Sequence, residues 1–112
     1  MNKTLNQNIK KTVATGNDIE IIKFARSLEG YEEIAIKQLA LAVVENGKAG
    51  NIYRFAIEVA NAPITLLAKG LCKTCNFVYM QLFAKDVLGI TLDEFIDIYY
   101  DEPENEEDSY IC

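Results

Sequence analysis

Met80-Gln81-Leu82-Phe83-Ala84-Lys85-Asp86-Val87 places apolar side chains at i, i+3, i+4 and i+7, which is one face of an α-helix. The same pattern occurs twice upstream, as Ile21-x-x-Phe24-Ala25-x-x-Leu28 and Ile52-x-x-Phe55-Ala56-x-x-Val59. The phenylalanines lie 31 residues apart from 24 to 55 and 28 apart from 55 to 83. Eight residues before each is a turn position, Gly16, Gly47 or Cys75, and eleven before it an apolar one, Val13, Val44 or Cys72. Further helical patterns precede these, carrying Leu5, Ile9 and Val13, then Ile36, Leu39, Val43 and Val44, then Ile64, Leu67, Ala68 and Leu71. Each unit therefore reads as helix A, a short turn and helix B.

Glycine suits the end of helix A because it takes the left-handed backbone conformation without steric cost. Gly30, Asn61 and Gly89 hold matching places after helix B. A last helix A opens at Thr91-Leu92-Asp93-Glu94, whose threonine and glutamate form a capping box, and no helix B pattern follows it. Pro63 falls at the first turn of a helix and Pro103 beyond the last, both tolerated places. No alternating apolar and polar run is long enough to compete as a strand. The expected fold is all-α: a right-handed stack of helical hairpins, a short α-solenoid of HEAT- or TPR-like kind with about seven helices and a disordered acidic tail. The domain spans residues 1–100, with repeats at about 5–30, 34–61 and 64–89 and a half repeat at 91–100; the tail is 101–112. Its phenylalanines, Phe24, Phe55 and Phe83, are expected to form one continuous seam.

Half of the 112 residues are hydrophobic, enough for the core of one small domain. The net charge of −6 is unevenly spread: residues 1–26 carry five basic and two acidic side chains, 27–90 six of each, and 91–112 nine acidic and none basic. Asp93, Asp97 and Asp101 recur every four residues along one helix face, with Glu94 beside them. The run from Asp101 to Asp108 repels itself and has no apolar surface to bury. Such an end solubilises and covers the last helix, or it steers the chain onto a basic protein surface, with Tyr99, Tyr100, Tyr110 and Ile111 as anchors inside a charged rim; the equal alternative for Tyr99 and Tyr100 is packing on the third repeat. Direct nucleic-acid binding is not expected.

Cys72-Lys73-Thr74-Cys75 has the spacing of a redox pair or half of a zinc site. The chain has no histidine, its other cysteine is Cys112, and no strand pattern precedes the motif. In the repeat alignment Cys72 takes the place of Val13 and Val44, and Cys75 that of the turn glycines, so small packed thiols are expected. A thiol-redox or metal-binding role for Cys72 and Cys75 is the alternative. Phosphate-loop, nucleophile-elbow and zinc-protease motifs are absent, and Glu20, Glu58 and Asp86 sit on helix faces rather than in a converging pair. Gly47-Lys48-Ala49-Gly50 reads as a hairpin turn. No catalytic residue, cofactor or metal is expected, and the chain is read as non-enzymatic.

Residues 1–13 lack the apolar stretch of a secretory signal, no stretch is long enough to cross a bilayer, and an odd cysteine count fits a reducing interior. A cytoplasmic protein without a membrane partner is expected. On helix B, Ile22, Tyr53 and Gln81 share one repeat position, and Glu20, Asn51 and Tyr79 another, so each set aligns as a ridge. The first ridge is a candidate binding strip with Tyr53 as anchor; alternatively Tyr53 and Tyr79 fill gaps between helices. The expected partner-binding residues are Asp93, Glu94, Asp97, Tyr100, Asp101, Tyr53 and Tyr79. The open ends of the array call for self-association or a bound partner.

The stretch Phe83-Ala84-Lys85-Asp86-Val87-Leu88-Gly89, with looser copies at Phe24 to Gly30 and Phe55 to Asn61, resembles the degenerate F-A-[KR]-x-V-x-G repeats of long helical arrays in bacterial and bacteriophage proteins. The resemblance covers about residues 5–100 and implies architecture. The chain departs from it at Cys75, and in the second copy, which lacks the basic residue after Ala56 and the final glycine. In size and charge the chain is similar to small phage inhibitors of host defence nucleases, anti-CRISPR proteins among them. That analogy implies a protein inhibitor occupying a basic surface.

Overall fold

The computed structural model describes residues 3–28 and 32–100. Among these, the chain forms seven α-helices and one π-helical turn, with no strand: α1 (Lys3–Ala14), α2 (Asp18–Ser27), α3 (Glu33–Asn46), α4 (Ala49–Glu58), α5 (Ile64–Thr74), α6 (Phe77–Phe83), the π turn (Ala84–Leu88) and α7 (Leu92–Tyr99). The expected turn at Gly30, the carboxylate of Asp101 and the whole acidic tail lie outside the described residues.

The three turn positions share one backbone conformation. Gly16, Gly47 and Cys75 have φ of 66°, 73° and 57°, so a cysteine adopts the left-handed geometry that glycine takes in the other two repeats. Two of these turns are also built alike. The Asn17 side chain accepts from the amides of Ile19 (3.0 Å) and Glu20 (3.3 Å), and Asn76 accepts from Tyr79 (3.2 Å). Their own amides donate to Thr15 and Thr74 two residues earlier. The middle turn has Lys48 at the cap, with no side-chain cap bond. Asparagine at these starts satisfies amides that have no partner within the helix.

The third copy of the pattern is not a plain α-helix to its end. After Phe83 the backbone widens into the π turn, which closes when the amides of Gly89 and Ile90 both reach the Ala84 carbonyl. Gly89 at φ 68° makes that closure possible. The extra residue in the turn leaves Val87 and Leu88 both packed against the core.

The helices meet in sequence order: α1 packs on α2 and α3, α2 on α3 and α4, α3 on α4 and α5, α4 on α5 and α6, and α5 on α6 and α7. The core between them includes Ile21, Ile36, Leu39, Ile52, Phe55, Leu67, Leu71, Met80, Phe83 and Phe95, all fully buried. Each such side chain contributes roughly 1.5–3 kcal/mol by leaving water. The phenylalanine seam is incomplete, because Phe55 and Phe83 are fully enclosed whereas Phe24, with only α1 before its helix, is half-buried. Aromatic contact runs instead toward the C-terminus, from Phe83 to Phe95 (centroids 5.6 Å) and from Phe95 to Tyr99 (5.2 Å). Helices α3 and α5 approach so closely at Gly70 that an added methyl would lie 2.6 Å and 2.7 Å from the two Val44 methyls. A side chain there would push the helices apart.

Candidate partner-binding surface

Helix α7 begins with the expected capping box. The Glu94 amide donates to Thr91 Oγ1 (3.1 Å), and the Glu94 carboxylate accepts from the Thr91 amide (3.0 Å) and hydroxyl (3.1 Å). The Thr91 amide, and then its hydroxyl, hold the Glu94 carboxyl below the usual carboxylate range. Glu94 is thus both a structural cap and part of the acidic face. Phe95 turns the opposite side of the helix into the core, where its burial is complete, and Leu92, Ile96, Tyr99 and Tyr100 pack partly against it. That orientation leaves Asp93 and Asp97 exposed, with Ile98 next to Asp97 and 57 % exposed. Sequence reasoning missed Ile98, although its i+4 spacing from Glu94 was the available signal. Tyr100 is half-buried, and its amide donates to the Ile96 carbonyl. The last member of the expected set, Asp101, lies beyond the described residues.

Tyr53 and Tyr79 do not stand on this surface. They meet each other between α4 and α6, with centroids 5.8 Å apart, and both are half-buried. The Tyr53 hydroxyl donates to Asp86 Oδ2 at 2.6 Å, and this bond, with burial and the nearby charge, raises the phenol above its ordinary range. Gly50 leaves the room that the Tyr79 ring occupies, since a methyl there would lie 3.1 Å from its hydroxyl. These contacts favour the gap-filling reading of both tyrosines. The Ile22, Tyr53 and Gln81 ridge is likewise not a uniform strip, because Ile22 is 2 % exposed, Tyr53 half-buried and Gln81 exposed.

A polar junction lies between α2, α3 and α4. Asp18, 5 % exposed, accepts from Asn46 Nδ2 (2.7 Å) and Asn51 Nδ2 (2.8 Å), at the floor of an open cleft of about 400 Å³ flanked by Ile19 and Lys48. Nearby, Arg26 reaches Glu58 (3.4 Å), which also receives Arg54. Nothing in the periodicity marked Asp18, whose repeat equivalents are Ala49 and Phe77.

Cys72 is 3 % exposed in the core, where an exchanging thiol partner has no access, as the packed-thiol reading expects, whereas Cys75, half-buried at the helix end, is disulfide-bonded, which corrects the expectation of a thiol there. Among the described residues, no group of three or more Cys, Asp or Glu side chains is placed to hold a metal ion. No helix of the described residues is long and apolar enough to cross a membrane. Set against protein families, curated proteins and solved structures, the chain matches none.

Proposed function

We propose that this chain is a non-enzymatic protein-binding module, a right-handed stack of helical hairpins that docks the acidic face of its last helix on a basic protein surface. The observation that carries the reading is Ile98, 57 % exposed at the edge of an acidic face that begins with Glu94 one turn before it and continues through the exposed Asp97 and Asp93, none of which meets a cation among the described residues. An exposed apolar side chain next to charged ones is the composition of a protein interface. The stacked form is supported by helix contacts that run mainly from each helix to the next two, together with left-handed turns recurring at Gly16, Gly47 and Cys75. The inhibitor form of the reading, a small phage or mobile-element protein that covers the nucleic-acid surface of a host enzyme, rests on size and charge alone.

The test is affinity purification from the native host in low and high salt, with the unaltered chain and with Asp93 and Asp97 both changed to Lys. A direct partner with a basic surface is expected to bind at least tenfold more weakly to the reversed chain, and to weaken with salt. A partner whose affinity ignores both changes would remove α7 from the interface.

A further inference from the structure

Helix α3 packs on α1, α2, α4 and α5 and still leaves one stripe bare, made of Ile34, Lys37, Gln38, Leu41 and Glu45, all exposed. Within it Ile34 is 64 % and Leu41 45 % exposed. Residues at i, i+3, i+4 and i+7 outline the recess that receives a side chain from a facing helix, and Ile34, Lys37, Gln38 and Leu41 have that spacing. The rise of an α-helix sets the two apolar ends of this recess about 10 Å apart. On the neighbouring α1, Lys3 and Lys10 hold the repeat places of Ile34 and Leu41, and both are exposed. Lys3, Lys10 and Lys37 meet no carboxylate among the described residues. Glu33 and Glu45 stand at the two ends of the stripe.

The complement of this recess is carried by the same chain. On α7, Ile98 is 57 % exposed, and the exposed Glu94 and Asp97 lie to one side of it on the helix surface. A branched aliphatic side chain suits a recess with apolar ends, and turning the acidic side toward Lys37 pairs the charges while Gln38 lies on the other. Within one molecule the two faces do not meet: α5 packs on both α3 and α7, which share no substantial contact. A second copy can bring α7 to α3. An anionic membrane is the weaker occupant, because the chain carries a net charge of −6.

We propose that α7 of one copy docks on α3 of another, with Ile98 entering the recess between Ile34 and Leu41 and Glu94 and Asp97 beside Lys37. This supplies the basic surface for the acidic face of α7 and so rests on the partner-binding reading. Because two different patches meet, every copy offers both halves of the contact.

The test is sedimentation equilibrium of the full-length chain from about 10 µM to about 1 mM, in about 20 mM and about 500 mM salt. The average mass is expected to rise with concentration in low salt, and the association to weaken about tenfold in high salt. Lys37→Glu and Asp97→Lys, both at exposed positions, should each weaken it about tenfold. An equimolar mixture of these two variants should associate as the unaltered chain does, since each contact between them joins opposite charges. Ile34→Ser with Leu41→Ser should weaken association at either salt concentration. A chain that stays monomeric throughout in low salt would remove the self-contact and leave a foreign partner for α7 standing. Association indifferent to both charge reversals would also remove it, by placing the contact elsewhere. Binding of the monomer to vesicles of anionic lipid through Ile34 and Leu41 would assign the stripe to a membrane instead. Lys37 serves the self-contact alone, so capture of a foreign partner should survive Lys37→Glu, and the failure of either reading is seen apart from the other.

Discussion

The junction between α2 and α4 and the junction between α4 and α6 occupy the same places in the repeat, yet they are closed by different chemistry. The first is polar: the buried Asp18 carboxylate receives two asparagine amides, and Arg26 crosses to Glu58. The second is aromatic: Tyr53 lies against Tyr79 and donates to Asp86. A polar group that leaves water must regain its hydrogen bonds, so the first junction works only with Asn46 and Asn51 in place. An aromatic pair needs only room and one partner for its hydroxyl, and Gly50 supplies the room. The shared helix geometry therefore fixes where a junction lies and leaves its composition to whichever residues meet there.

The polar junction should be the easier to break. Asp18→Ala leaves the half-buried Asn51 amide without its acceptor, and we expect a loss of about 1–3 kcal/mol in urea unfolding. Retention of full stability would mean that water replaces the carboxylate at the cleft floor.

A smaller effect is expected at the aromatic junction from Tyr53→Phe, which keeps the ring and removes the bond to Asp86. Here the test is pH. The Tyr53 phenol is raised in the folded chain, so its contribution is fully present below the ordinary tyrosine range and is lost as pH rises through the higher folded value. The melting temperature of the unaltered chain should fall toward that of the Phe variant at alkaline pH, and parallel curves would show that the bond adds nothing. The smallest effect is expected from Arg26→Ala, which breaks an exposed pair whose loss should cost at most about 1 kcal/mol and should vanish in high salt.

Much of the fold was legible because a helix that packs on one side writes its period into the chain. The pattern around Phe83 and its two copies located α2, α4 and α6, and the Gly16, Gly47 and Cys75 alignment placed three left-handed turns. Thr91 and Glu94 announced their own capping box, since its partners are three residues apart. What stayed hidden depends on residues far apart in sequence. Asp18 carries no signal in the periodicity until Asn46 and Asn51 are brought to it, and the contacts of Tyr53 with Tyr79 and Asp86 join residues on separate elements. The π turn after Phe83 was invisible for another reason: one extra residue in a turn leaves the apolar spacing almost unchanged. On the candidate surface, the acidic positions of α7 were legible from their spacing, whereas the exposure of Ile98 depended on which way Phe95 turned the helix.

Among the described residues each helix leans chiefly on the next two along the chain, and α1 and α7 share no substantial contact. Cooperation between the two ends must pass from neighbour to neighbour. The N-terminal end, with a half-buried Phe24 and Ile9 the one buried side chain of α1, is therefore the place where the native state can fray while the remainder holds its form.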